Sequence, residues 1–145
     1  MKRIRTYTAK ASEIKRKWFL VDAKGKTLGR IATRIANILM GKRKVNFTPH
    51  MDLGDFVVLI NAAEVAVSGK KESQKTYFSH SGYPGGDKLL NFAHLIKRQP
   101  ERIIKQAVWG MLPQNRLGKA MLKKLKIFAN AKHEHIAQQP EVLEI

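Results

Sequence analysis

The run Phe56-Val57-Val58-Leu59-Ile60 constrains the fold more than any other part of the chain. It is apolar throughout and of strand length. A strand with one face in water alternates apolar and polar residues, whereas an unbroken run marks a strand buried on both faces, as in a parallel sheet covered by helices. The residues upstream agree. Trp18-Phe19-Leu20-Val21 reads as a short strand and Asp22-Ala23-Lys24-Gly25-Lys26 as the turn that ends it. After the turn, Leu28, Ile31, Ile35, Ile38 and Leu39 share one face of a helix, and Gly41 supplies its stop. Strand, amphipathic helix and buried strand in that order begin a βαβ unit, so the class is α/β.

Further elements follow along the chain. Val65-Ala66-Val67 reads as a short strand closed by Ser68-Gly69, Thr76–His80 as extended, Ser81–Gly86 as a loop and Phe92–Arg98 as a helix. Pro100 opens another helix at its first position, with Glu101 in the first turn where the helix dipole favours an acid. Pro113 bars helix continuation, and Gln114-Asn115 is a turn and a cap for the next helix. In that helix Leu117, Met121 and Leu125 fall on one face, while Arg116, Lys119, Lys123 and Lys126 form a second, charged stripe. Residues 1–17 read as a basic arm with a short helical turn after Ser12, and residues 130–145 as a polar tail with Val142-Leu143 as a docking pair. At 145 residues, one domain spanning 1–145 is expected.

The net charge is +17, from 28 Lys and Arg against 11 Asp and Glu. Self-repulsion at that charge opposes folding, which points to a permanent anionic partner, and phosphate backbones are the commonest such partner. Residues 1–50 carry +12, residues 51–100 carry +1 and residues 101–145 carry +4. The middle therefore reads as scaffold. With no Cys, disulfides and thiolate metal sites are excluded. No apolar run reaches membrane-spanning length, and no apolar stretch follows Lys2, Arg3 and Arg5, so a soluble, non-secreted protein without a membrane partner is expected.

Little points to catalysis. Gly25-Lys26-Thr27 before a helix resembles the end of a phosphate loop, but the Gly that motif needs five residues earlier is Leu20. The segment reads instead as a strand-to-helix turn capped by Thr27, where Lys26 and Arg30 could still hold an RNA phosphate. His133 and His135 make a thin metal site, since zinc wants at least three protein ligands, and read more readily as part of a polar tail touching RNA or protein. Asp52 and Asp55 flank a Gly before a strand and read as turn acids bonded to local amides. No small-molecule substrate or cofactor is expected. Tyr77, Phe78, His80 and Tyr83 lie near Lys70, Lys71 and Lys75, and aromatic rings beside bases can stack on unpaired nucleobases. For Tyr77 and His80 stacking and packing both stay open, whereas Phe78 reads as core.

Several ordered motifs resemble a known family, the bacterial form of the thirteenth protein of the large ribosomal subunit. They are Val21-Asp22-Ala23 leading to Gly25-Lys26-Thr27-Leu28-Gly29-Arg30, Thr48-Pro49-His50, Gly54-Asp55, Asn61-Ala62, Val65–Gly69, Ser81–Gly86, Pro100-Glu101-Arg102 and Gln138-Gln139-Pro140. The most specific is Gly110-Met111-Leu112-Pro113 followed by Leu117-Gly118-Lys119. Trp109 departs from the pattern, standing where relatives often carry Lys or Arg, so position 109 is not carried over as an RNA contact. The resemblance implies a three-layer α/β/α fold around a mainly parallel four-stranded sheet and a structural, non-enzymatic role in the large subunit. It further implies a cytoplasmic, ribosome-bound protein that binds large-subunit rRNA, touches neighbouring ribosomal proteins, joins early in assembly and needs no cofactor. For some bacterial members it adds binding of their own mRNA to repress its translation.

Charge and resemblance together nominate RNA contacts. Around the first helix they are Lys26, Arg30, Arg34, Lys42, Arg43, Lys44 and His50. In the middle of the chain they are Lys70, Lys71, Tyr77 and His80. Beyond Pro113 they are Arg116, Lys119, Lys123, Lys124 and Lys126.

Overall fold

The computed structural model describes residues 7–144. The first six residues of the expected arm lie outside that range; within it, a 3-10 turn forms at Ala11–Glu13. Strand β1 runs Trp18–Asp22, helix α1 Leu28–Met40 and strand β2 Phe56–Ile60, as the sequence pattern predicts. Gly41 closes α1 in the left-handed region at φ 77°, where its N–H reaches the Ile38 carbonyl. Thr27 holds the N-cap position, but its side chain makes no cap hydrogen bond.

The main sheet has the order β5-β2-β1-β6, with β5 at Leu125–Ile127 and β6 at Glu141–Val142. All three pairings are parallel. The expected α/β class and four-stranded parallel sheet are thus present, with β2 in the interior. Val57, Val58 and Leu59 are each 0% exposed, which is the two-faced burial that their unbroken apolar run requires.

Register sorts the side chains. Phe19, Val57 and Leu125 align on one face with Val21, Leu59 and Ile127. Helix α1, helix α3 at Phe92–Arg98, helix α4 at Pro100–Trp109 and helix α5 at Arg116–Lys123 bury their apolar residues in a single cluster with this face. The other face carries Trp18, Leu20, Phe56 and Val58. There Trp18 stacks on Phe56 at 4.3 Å, and the C-terminal segment lays His135 5.2 Å from Trp18 and 5.8 Å from Phe128. His133 packs against Phe128 at 6.3 Å, so both imidazoles serve as cover for this face. The tail is also tied at the sheet edge: β6 pairs with β1, and Leu143 N–H donates to the Leu20 carbonyl at 2.8 Å, so Val142-Leu143 does dock.

Two local expectations need correction, and one region gains elements. Val65-Ala66-Val67 forms no strand; Ala66 makes one parallel bridge to Thr27. The helix after Asn115 ends at Lys123, because Leu125-Lys126-Ile127 joins β2 as a strand. Apolar residues at 125 and 127 around a Lys satisfy a period of two as well as a helical stripe, and pairing with β2 decides between them. The middle of the chain is more structured than it reads. A short helix α2 forms at Lys71–Gln74, and β3 at Thr76–His80 pairs antiparallel with β4 at Asp87–Asn91 as a separate hairpin.

Candidate nucleic-acid interface

Helix α5 is fixed at its start by two devices. Asn115 Oδ1 accepts the Gly118 N–H at 2.8 Å, satisfying one of the free amides of the first turn. Gly118 itself sits against the Pro113 carbonyl, where a Cβ would collide with the backbone. Met121 is buried and Leu117 and Leu122 are half-buried, which turns Arg116, Lys119 and Lys123 to solvent. Helix α4 contributes Arg102, Lys105 and Trp109, spaced i, i+3 and i+7. Between the two helices, β5 and the β3–β4 hairpin lies a groove of about 990 Å³. Arg102, Lys105, Lys119, Lys123 and Lys126 line it together with Phe78, Trp109, Leu122 and Ile127, and Glu101 is its acid. Among the described residues, none of these five cations joins an ion pair.

A second basic region, at the amino ends of the strands, is organised differently. Lys124 is 4% exposed, and its Nζ donates to Asp52 Oδ1 and, at 3.0 Å, to the Leu39 carbonyl in the last turn of α1. Burial lowers its pKa below the usual lysine value, and the hydrogen bond to Asp52 acts in the opposite direction. Lys44 Nζ donates to Asp55 Oδ1 at 2.6 Å and to the Lys15 carbonyl at 2.9 Å. Asp55 Oδ1 also accepts the Lys17 N–H at 2.9 Å, and Arg16 lies 3.6 Å from Asp52. Gly54 is required between the two acids, since a Cβ there would strike the Leu39 carbonyl. Asp52 and Asp55 are therefore not simple turn acids; they anchor the arm and the α5–β5 junction to the end of α1.

The nominated RNA contacts divide accordingly. Arg30 and Arg34 are exposed on α1, Lys42, Arg43 and His50 are exposed on the following loop, and Lys26 is half-buried in the turn before α1. Lys70 and Lys71 are exposed at the start of α2. His80 is exposed with Nε2 3.1 Å from Asp87. Lys119, Lys123 and Lys126 meet in the groove, although Lys126 reaches it from a strand. Two nominations are corrected. Lys124 is buried in the ion cluster, and Tyr77 is 9% exposed beneath the hairpin, so neither offers a surface to a partner. The reading of Phe78 as core is reversed: it is 61% exposed. Neighbouring strand residues point to opposite faces, so the hairpin can bury only one of this pair. Arg102 and Lys105 were missed by sequence reasoning, and their helical spacing with Trp109 is the signal that could have found them.

Comparison with known proteins fits this arrangement. The sequence profile of the family described as Ribosomal protein L13 matches residues 16–134. The large ribosomal subunit protein uL13 of Alcanivorax borkumensis is 57% identical over 142 residues, covering 98% of this chain and 100% of the relative. The uL13 of Chlorobium phaeobacteroides is 54% identical over 141 residues, covering 97% and 94%. That of Symbiobacterium thermophilum is 53% identical over 141 residues, covering 97% and 99%. With the family profile over residues 16–134 and near-complete alignment to these proteins, the chain belongs to the ribosomal protein L13 family, whose members are structural ribosomal proteins.

Proposed function

We propose that the chain works in the cytoplasm as a ribosome-bound constituent of the large subunit, where it clamps folded rRNA at several points through its backbone phosphates. The observation that carries this is the set of free cations on the α4–α5 face, on a chain of net charge +17. The sheet holds α1, α4 and α5 in fixed relation, so their cations engage phosphates that are distant along the RNA but close in its fold. Each neutralised phosphate releases counterions, which makes affinity fall steeply with salt. Shape and backbone dominate recognition of folded RNA, and sequence reading is minor. Neutralising converging phosphates favours early entry into the assembling subunit, beside neighbouring ribosomal proteins. Binding of the chain's own mRNA follows the same chemistry wherever that message copies the rRNA fold.

The test is the triple variant Lys119→Glu, Lys123→Glu and Lys126→Glu, titrated against large-subunit rRNA over a range of salt. The expected result is a slope of log affinity against log salt that is shallower by roughly two to three, at about 0.7–0.9 per lost phosphate contact, with the circular dichroism spectrum native. An unchanged slope and affinity would remove this face from the interface.

A further inference from the structure

We infer that the α4–α5 groove takes an unpaired nucleotide of RNA, with its base against Trp109 and Phe78 and its phosphates on Lys105, Lys119 and Lys123. This rests on the rRNA-binding reading and narrows it to one site and one state of the RNA. A surface that touches only duplex backbone needs cations and polar groups. This groove adds an indole and a phenyl ring to its cations. Phe78 is 61% exposed, and its cross-strand partner Leu89 is 67% exposed, so the hairpin presents an apolar patch beside the cations that none of the described residues covers. Trp109 is half-buried, packed against the core while also lining the groove. Aromatic faces beside a cationic backbone track are what single-stranded nucleic acids need, because every base has a π-face that stacks. The volume of about 990 Å³ is ample for a base and its flanking phosphates. Five cations against Glu101 repel a basic protein segment and select a polyanion.

The experiment uses the full chain carrying Trp18→Phe, which leaves Trp109 as the sole indole of the two in the sequence. It is titrated with a nine-residue oligoadenylate, with an abasic ribose-phosphate oligomer of equal length and charge, and with oligoglutamate. The expected result is quenching of Trp109 emission by oligoadenylate and binding about tenfold tighter than that of the abasic oligomer, within the range for base–aromatic stacking. Phe78→Ala should shrink that ratio toward one while leaving abasic binding unchanged; its exposure makes it a mild substitution. Filter binding on the chain with Trp18 retained reads the same ratio independently of the Trp18→Phe change. Equal affinities without quenching would overturn the inference and leave the cations with phosphates alone. Quenching by oligoglutamate as strong as that by oligoadenylate would overturn it in favour of an acidic protein segment. Salt-dependent binding of large-subunit rRNA, measured on the same protein, separates the two readings: if it persists when the ratio fails, only the groove assignment falls, and if it is absent, the rRNA reading falls as well.

Discussion

The amino ends of the strands and the α4–α5 groove are both rich in lysine and arginine, yet their charges do opposite work. At the strand ends Lys124 and Arg16 meet Asp52, Lys44 meets Asp55 and Lys17 meets Glu141. In the groove Arg102, Lys105, Lys119, Lys123 and Lys126 make no ion pair among the described residues. Part of the +12 of residues 1–50 is therefore engaged inside the protein, holding the arm to α1. The smaller excess of residues 101–145 is largely free. Local charge density alone therefore does not tell cations matched by acids from cations left open to solvent; the folded structure does.

The sharpest way to break this contrast is Asp52→Ala. It leaves the Lys124 ammonium buried with only the Leu39 carbonyl, and loss of one partner from a buried pair costs about 3–5 kcal/mol. Chemical denaturation should read that loss at neutral pH. The double variant Asp52→Ala with Lys124→Met should recover most of it, because an apolar side chain needs no partner there. The pH dependence has a definite sign. A lysine whose folded pKa is lowered binds fewer protons folded than unfolded, so stability rises with pH from the folded pKa up to about 10.5. Removing Asp52 lowers that pKa further and extends the rising limb toward neutrality. A single variant as stable as the parent would mean that this end of the sheet is not held by its charges.

What could be read in advance follows the same division. The β1–α1–β2 unit was legible because its apolar patterns admit one period each and its stop, Gly41, is chemically specific. The parallel sheet followed from Val57, Val58 and Leu59, which have no polar neighbour to turn outward. Leu125 was misplaced on a helix because a three-residue strand has too few residues to show its period. The roles of Lys124 and Asp52 were invisible for a different reason. They lie 72 positions apart, and only the fold brings a lysine in a basic run to that one acid. Phe78 was read as core and Tyr77 left open because adjacent aromatic residues say that one is buried without saying which.

The groove side has its own structural dependence, which Gly118→Ala tests. The added methyl meets the Pro113 carbonyl, so α5 must shift or its first turn must open. Overpacking of this kind costs about 1–3 kcal/mol, less than the loss of Asp52. The distinguishing readout is RNA affinity. Displacing α5 moves Lys119 and Lys123 away from Arg102 and Lys105 on α4, so affinity for large-subunit rRNA should fall with no change in net charge. An unchanged affinity in a destabilised variant would show that the groove tolerates movement and that its cations act independently.

The smallest effect is expected at the carboxyl ends of the strands, where one exposed acid makes local bonds. Asp22 Oδ1 accepts the Lys24 N–H at 2.9 Å and Asn61 Nδ2 at 2.8 Å. The Lys24 amide is the main reason its pKa lies below 3.8, and the Asn61 side chain adds to it. A carboxylate depressed in the folded state contributes stability above its unfolded pKa and loses it as pH falls through the folded value. Asp22→Asn keeps an oxygen for the Lys24 amide but removes the charge, so it should cost less than about 1 kcal/mol at neutral pH, as expected of an exposed group. Its signature is in acid: stability of the variant should fall less steeply than that of the parent below pH 3.8. A parallel fall in both would mean that the Lys24 turn is held by backbone geometry rather than by the Asp22 charge, in contrast to the charge-held amino ends of the strands.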